Sequence, residues 1–207
     1  MNKKSRTQFA STRKLLYGAK APKVVLLFGG DGMTEYLKRM ARYNRWVNRK
    51  LYEKVQLLSP DEIAKDRGAF FESILGTLNH ILVADMFWLR RFAGSKYCAE
   101  ALAPIREMEM PTDLRDFLYD DIQVLAIKRE ELDQLILAFS ETWDDEMLAE
   151  PIRYRNMAGE KHERPLGQLL QHLFNHQTHH RGQVTTMLYQ AGIDPEATDL
   201  LVMMMEE

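Results

Sequence analysis

Four histidines fall within nine residues of the segment QHLFNHQTHHRGQ, 171–183: His172, His176, His179 and His180. Imidazole is both a proton-transfer group near neutral pH and a common metal ligand, so this density reads first as chemistry. On a helix, residues four apart share a face and sit about 6 Å apart along the axis. The pairs His172/His176 and His176/His180 can therefore each clamp one ion. His172 and His180 stand about 12 Å apart along the axis and cannot share one, so spacing leaves His176 in either pair. A third imidazole from a facing helix completes a three-histidine set, which keeps positions open for water or substrate as catalytic metals require. His80, in LGTLNHILVAD, can supply it; its same-face neighbours Gly76, Thr77, Val83 and Ala84 are mostly small and leave room for an ion and a ligand. The competing role is a polar, pH-responsive helix face. Two i, i+4 pairs in one segment favour the metal. His179 faces sideways and reads as a neighbour of the ligands or a surface residue. His162, in PIRYRNMAGEKHER, has no positional argument and reads as solvent-exposed.

Other chemistries fit less well. The Glu-x-x-His pairs of ferritin-like di-iron bundles are absent, as is the His-Glu-x-x-His of zinc proteases. The single cysteine, Cys98, excludes an intrachain disulfide, a thiolate zinc cluster, a Cys-x-x-Cys redox site and covalent c-type haem. It also makes a reducing, cytoplasmic compartment the default. No apolar run approaches the roughly 18 residues that span a bilayer.

The histidines must be positioned by helices. In 34–58, Leu37, Met40, Tyr43, Val47, Leu51 and Val55 recur at steps of three and four, with Thr34 as the expected N-cap and Ser59-Pro60 as the stop. A second helix is predicted over 68–92, with a stripe from Phe71 to Phe92 in which only Asp85 is out of character. A third is predicted over 112–142, capped by Thr112. A fourth is predicted over 166–191, with Pro165 at its start and Gly192 at its stop. Between the last two, Ile152 and Tyr154 alternate with Arg153 and Arg155 before a turn-like Asn156 to Gly159, which predicts a short β-hairpin or extended loop. The connections 93–111 and 143–165 are long, so the expected fold is an all-α four-helix bundle with one or two crossovers.

The formal net charge of −2 hides two unlike parts. Residues 1–32 carry seven basic side chains and one acid, a net of +6, so 33–207 carry −8. An acidic body argues against nucleic acid, whose phosphates need clustered Lys and Arg. In the leader, Gly29-Gly30-Asp31-Gly32 follows an apolar run, but Glu35 stands where the dinucleotide fingerprint needs its third glycine. The leader reads as a disordered basic extension and 33–207 as the bundle domain.

The ordered motifs resemble the DinB/YfiT-like metalloenzyme family. Asn175-His176-x-x-His179-His180-Arg181-Gly182-Gln183 resembles the signature of its last core helix, Tyr43-Asn44-Arg45-Trp46-Val47-Asn48 its opening motif, and Leu78-Asn79-His80-Ile81-Leu82 with Trp88 its second-helix motif. The resemblance implies a bundle, often a homodimer, holding zinc or nickel through three histidines. The matching positions are His80, His176 and His180, which leaves His172 a neighbour. It also implies a metal-dependent enzyme that activates a low-molecular-weight thiol or water for attack on a small electrophile. The family's damage-inducible label describes expression and gives no evidence of DNA chemistry.

Around these positions, Asn79, Asn175 and Gln183 are candidates to orient ligands or waters, against a default of helix-surface hydrogen bonding. Arg181 is a candidate for a substrate or intersubunit carboxylate, against a default of a surface salt bridge. Asp85 lies about 140° around the helix from His80 and is not a ligand. No general base stands out. The rival is a non-catalytic, stress-response bundle in which the ion only pins two helices. A third reading is a metal-free bundle that uses its acidic surface for protein contacts.

Overall fold

The computed structural model describes residues 32–207 apart from Met157. The expected disordered extension, 1–32, and its glycine-rich segment, 29–32, lie outside the described residues but for Gly32. Four long helices carry the fold: α1 (Met33–Val55), α3 (Ile74–Phe92), α5 (Ile122–Ser140) and α7 (Leu166–Gln190). Short helices α2 (Pro60–Ala64), α4 (Ala103–Glu107) and α6 (Asp145–Ala149) lie in the connections, and α8 (Leu200–Glu206) closes the chain. Strands β1 (Pro151–Arg155) and β2 (Lys161–Pro165) form an antiparallel hairpin in which Tyr154 pairs with His162.

Packing follows the apolar stripes. Leu37, Val47, Leu51 and Val55 of α1, Leu78, Leu82 and Leu89 of α3, Leu132 and Phe139 of α5, and Leu170, Leu173 and Val184 of α7 are buried in one core. α1 packs against α5 and α7, and α3 packs against the same two helices. The cyclic order is therefore α1-α5-α3-α7. The α1–α3 and α5–α7 connections cross the bundle diagonally, so 143–165 lies in a crossover as expected, whereas 93–111 does not: it belongs to the α3–α5 connection, which joins neighbouring helices and carries α4. Among the described residues no helix is long and apolar enough to cross a membrane.

The last long helix, α7, ends where glycine permits. Gly192 takes φ +81, and Ile193 N–H donates back to the Leu188 carbonyl at 2.9 Å. Three expected starts move. Thr34 lies inside α1 and its hydroxyl donates to Asp145 at 2.7 Å instead of capping. The second long helix begins at Ile74, where the Ser73 hydroxyl accepts from Gly76 N–H; the positive φ of Gly68 and Glu72 excludes 68–73 from it. The third begins at Ile122. Over 112–121, aspartates offer the backbone a competing set of bonds. Asp116 accepts from the Thr112 and Asp113 amides, and Asp121 then caps α5 through the amides of Gln123 and Val124. Ser59 does more than stop α1, since its hydroxyl also caps α2, with Pro60 in the first turn.

The core has a charged centre. Arg129 of α5 donates to Asp85 of α3 at 2.6 Å and lies 2.9 Å from Asp133 as an ion pair without hydrogen-bond alignment. Asp133 accepts from the side-chain amides of Asn44 and Asn48 of α1, both at 2.8–2.9 Å. The carbonyl oxygens of those two asparagines accept from Arg181 of α7, which also donates to Gln177 and Thr178. All four long helices thus meet in one buried polar chain. Burial pushes Asp85 up to about 6 and Arg181 down to about 10, so both remain charged at neutral pH. Arg129→Met leaves two buried carboxylates without their cation and is expected to destabilise the fold by about 3–5 kcal/mol, read by urea denaturation.

Candidate metal centre

Three imidazoles converge at the α3–α7 contact. His80 of α3 faces His176 and His180, one turn apart on α7, and one ligand atom from each lies within 4.8 Å of the others. The ring centres of His176 and His180 are 4.5 Å apart, and His80 lies 4.6 Å from His180 and 5.1 Å from His176. His172 stands outside this group. Its ring is 6.0 Å from that of His176 and meets Trp88 edge-on at 5.1 Å. Packing separates the two histidines that spacing leaves equivalent: Trp88 meets His172, while His180 turns to His80.

The tautomers are set from outside the group. Nδ1 of His80 lies 2.9 Å from the Leu114 carbonyl, which can only accept. That nitrogen carries the hydrogen, and Nε2 keeps its lone pair. Nδ1 of His180 lies 2.9 Å from Gln183 Oε1, with the same consequence; the Gln183 amide nitrogen is 3.3 Å from His179 Nε2. Such hydrogen bonds hold a ligating ring in place and raise its basicity. Burial lowers the pKa of His80 and His180, and burial with the neighbouring imidazoles pushes His176 down to about 3. All three rings are neutral at physiological pH, as metal binding requires. His80 Nε2 and His176 Nε2 are only 3.2 Å apart. Two lone pairs that close repel unless a proton or a cation lies between them. The donor set fits a divalent ion.

The sequence candidates divide. Gln183 and the imidazole of His179 support His180. Asn79 supports the triad at one remove: it is buried, accepts from the Leu118 and Tyr119 amides at 3.0 Å and donates to the Tyr119 carbonyl, thereby pinning the loop that presents Leu114 to His80. Asn175 is exposed and takes no part. Arg181 is neither a surface salt bridge nor a free substrate contact; it is 4% exposed and belongs to the buried polar chain. His162 is half-buried on β2, its ring stacked on Tyr154.

One contact carries no sequence signal. Phe71 lies flat on His80, with ring centres 3.8 Å apart, and edge-on to His180 at 5.5 Å. Its loop approaches α3 at Gly76, where a Cβ would fall 2.2 Å from the Phe71 carbonyl oxygen. The buried polar chain was partly visible as the odd Asp85 on an apolar stripe and as Asn44/Asn48 at i, i+4.

The DinB family model matches residues 33–207, and the chain belongs to the DinB family. It is 27% identical over 172 residues to Protein DinB of Bacillus subtilis (strain 168), covering 81% of this chain and 92% of that protein. It is 22% identical over 165 residues to the uncharacterized protein YizA of the same organism, covering 80% and 94%. A crystal structure of a DinB-like protein from Bacillus cereus ATCC 10987 superposes with a TM-score of 0.50 at 20% identity, covering 73% of this chain and 89% of that one, which supports the helical-bundle fold.

Asn79→Ala removes a buried side chain that bonds four backbone groups, three of them in the loop and one on its own helix. It is expected to destabilise the protein by about 1–3 kcal/mol and to speed amide exchange at Leu118 and Tyr119, with the helix centres unchanged.

Proposed function

We propose that His80, His176 and His180 hold a divalent ion, zinc or nickel, and that the protein is a metal-dependent enzyme acting on a small electrophile with a thiol or water as nucleophile. The observation that carries this reading is the paired fixing of His80 by Leu114 and His180 by Gln183, with neutral Nε2 lone pairs turned to one place. Imidazole donors suit both metals. A cation bound there supplies the charge that lowers the pKa of an adjacent thiol or water. The chain supplies the rest. The Leu114 carbonyl and Gln183 amide hold the two rings against rotation, and Phe71 shields one face of His80 from water. His172 lies outside the group and, among the described residues, no carboxylate or thiolate joins the three histidines within ligand distance. An incomplete ligand set favours catalysis over a purely structural ion, which takes four protein ligands. The same reading places the protein in the cytoplasm, in keeping with its buried free Cys98, and as a homodimer, in keeping with the exposed Leu201, Met204 and Met205 of α8.

Metal analysis after loading with zinc or nickel is the test. About one ion per chain is expected, lost in His176→Ala and retained in His172→Ala. Gln183→Ala should weaken metal affinity by roughly 10- to 100-fold. Metal-dependent turnover with a panel of cellular thiols and an electrophilic probe supports the enzyme; a loaded protein inert across that panel returns the site to a structural role. Equal metal content in wild type and His176→Ala removes the site altogether.

A further inference from the structure

A cleft of about 240 Å³ opens against the ring of His80, between the loop 67–73 and the loop 112–119. Phe70, Phe71 and Phe117 line it. Phe70 is 70% exposed and Phe117 54%. A single exposed phenylalanine is ordinary. Two of them, brought from separate loops into one cleft beside a third ring, give a cleft of mixed polarity three aromatic faces for a planar ligand.

Both loops are held. Arg67 N–H donates to the Glu72 carbonyl at 2.8 Å, Glu72 N–H donates to Ala69, and the Arg67 guanidinium pairs with Glu62. The opposite loop is fixed by Asn79, by Asp116 and by the Leu114 bond to His80. The phenyl walls are therefore presented by pinned backbone.

Arg115 gives the cleft its polarity. Its guanidinium lies over the Phe70 ring at 5.3 Å, and among the described residues no carboxylate is within ion-pair distance of it. A cation resting on a ring face keeps its in-plane N–H groups free. Of the two acids at the rim, Asp116 stays ionised, its Oδ2 tied to its own loop by the Asp113 and Thr112 amides and the Thr112 hydroxyl. Glu72 is exposed on the facing loop.

We propose that this cleft binds a small aromatic carboxylate, its ring among Phe70, Phe71 and Phe117 and its carboxylate on Arg115. Size supports a single ring: a cavity of ~150 Å³ holds benzene, so the volume here accepts one ring and one acid group. The planar guanidinium fork matches a carboxylate and not an amine. Glu72 repels an anion from the other wall and so sets the ligand's direction. The pocket stands on its own geometry; that its occupant is a reactant rests on the reading of the histidines as a metal centre, since the ligand lies against His80.

The test is titration of the full chain, zinc-loaded and metal-free, with benzoate, cyclohexanecarboxylate and benzylamine, followed by amide shifts in two-dimensional NMR. Benzoate is expected to shift residues of both loops and to bind more tightly than either comparator. Arg115→Gln should weaken it roughly three- to tenfold, and Glu72→Gln should tighten it or leave it unchanged. Both side chains are exposed, so unchanged melting temperatures confirm that the variants fold. Tighter binding of benzylamine, an Arg115→Gln variant with wild-type affinity, or no benzoate shift at the two loops each overturns the proposal. Benzoate binding in a protein that takes up no zinc keeps the pocket and removes the metal centre. Zinc uptake without benzoate binding does the reverse.

Discussion

A buried guanidinium held between two buried carboxylates decides how the four long helices can meet. Arg129 is 2% exposed, and Asp85 and Asp133 are each 1% exposed. Charges this far from water are tolerated only with partners in place, and removing one partner costs more than the pair contributes. The asparagines of α1 extend the chain from Asp133 to Arg181, so each long helix contributes at least one member. The arrangement acts as a registry device. Apolar stripes alone tolerate rotation and sliding of a helix; a fixed set of charged and amide partners does not.

The histidines inherit that registry. Arg181 follows His180 directly, and Gln177 follows His176, so the α7 face that enters the polar chain adjoins the face that carries the two histidines. One residue is about 100° of helix rotation. With Arg181 engaged, the two imidazoles can point only to α3. Asp85 does the same for α3, five residues after His80. The fine aim comes from outside the bundle: the Leu114 carbonyl and Gln183 amide choose the tautomers, and Asn79 fixes the loop that brings Leu114 into place. Coarse placement by the core and fine placement by a pinned loop explain how donors on two helices converge within 4.8 Å.

Much of this was legible in the sequence, and the rest was hidden for identifiable reasons. The stripe of α1, the Pro165 start and Gly192 stop of α7 and the hairpin before it all follow from local pattern. So does the density of histidines, though spacing left His172 and His180 equivalent; the family resemblance favoured His180, and in the structure Trp88 packs on His172 while His80 faces His180. The start of α5 was hidden because Asp113, Asp116 and Asp121 satisfy backbone amides locally, and periodicity does not register that competition. Arg181 was misjudged because a lone arginine on a helix is ordinarily at the surface. Its burial depends on Asn44 and Asn48, 137 and 133 residues away in the chain. Phe71 on His80 has no local signature at all, since the contact is made by a loop whose path depends on Gly76.

Anomalous diffraction at the zinc edge from zinc-loaded crystals locates the ion directly. One strong peak per chain is expected, bounded by the Nε2 atoms of His80, His176 and His180, with Nδ1 of His80 still on Leu114. A peak between His172 and His176, or peaks only at surface carboxylates, would contradict this placement.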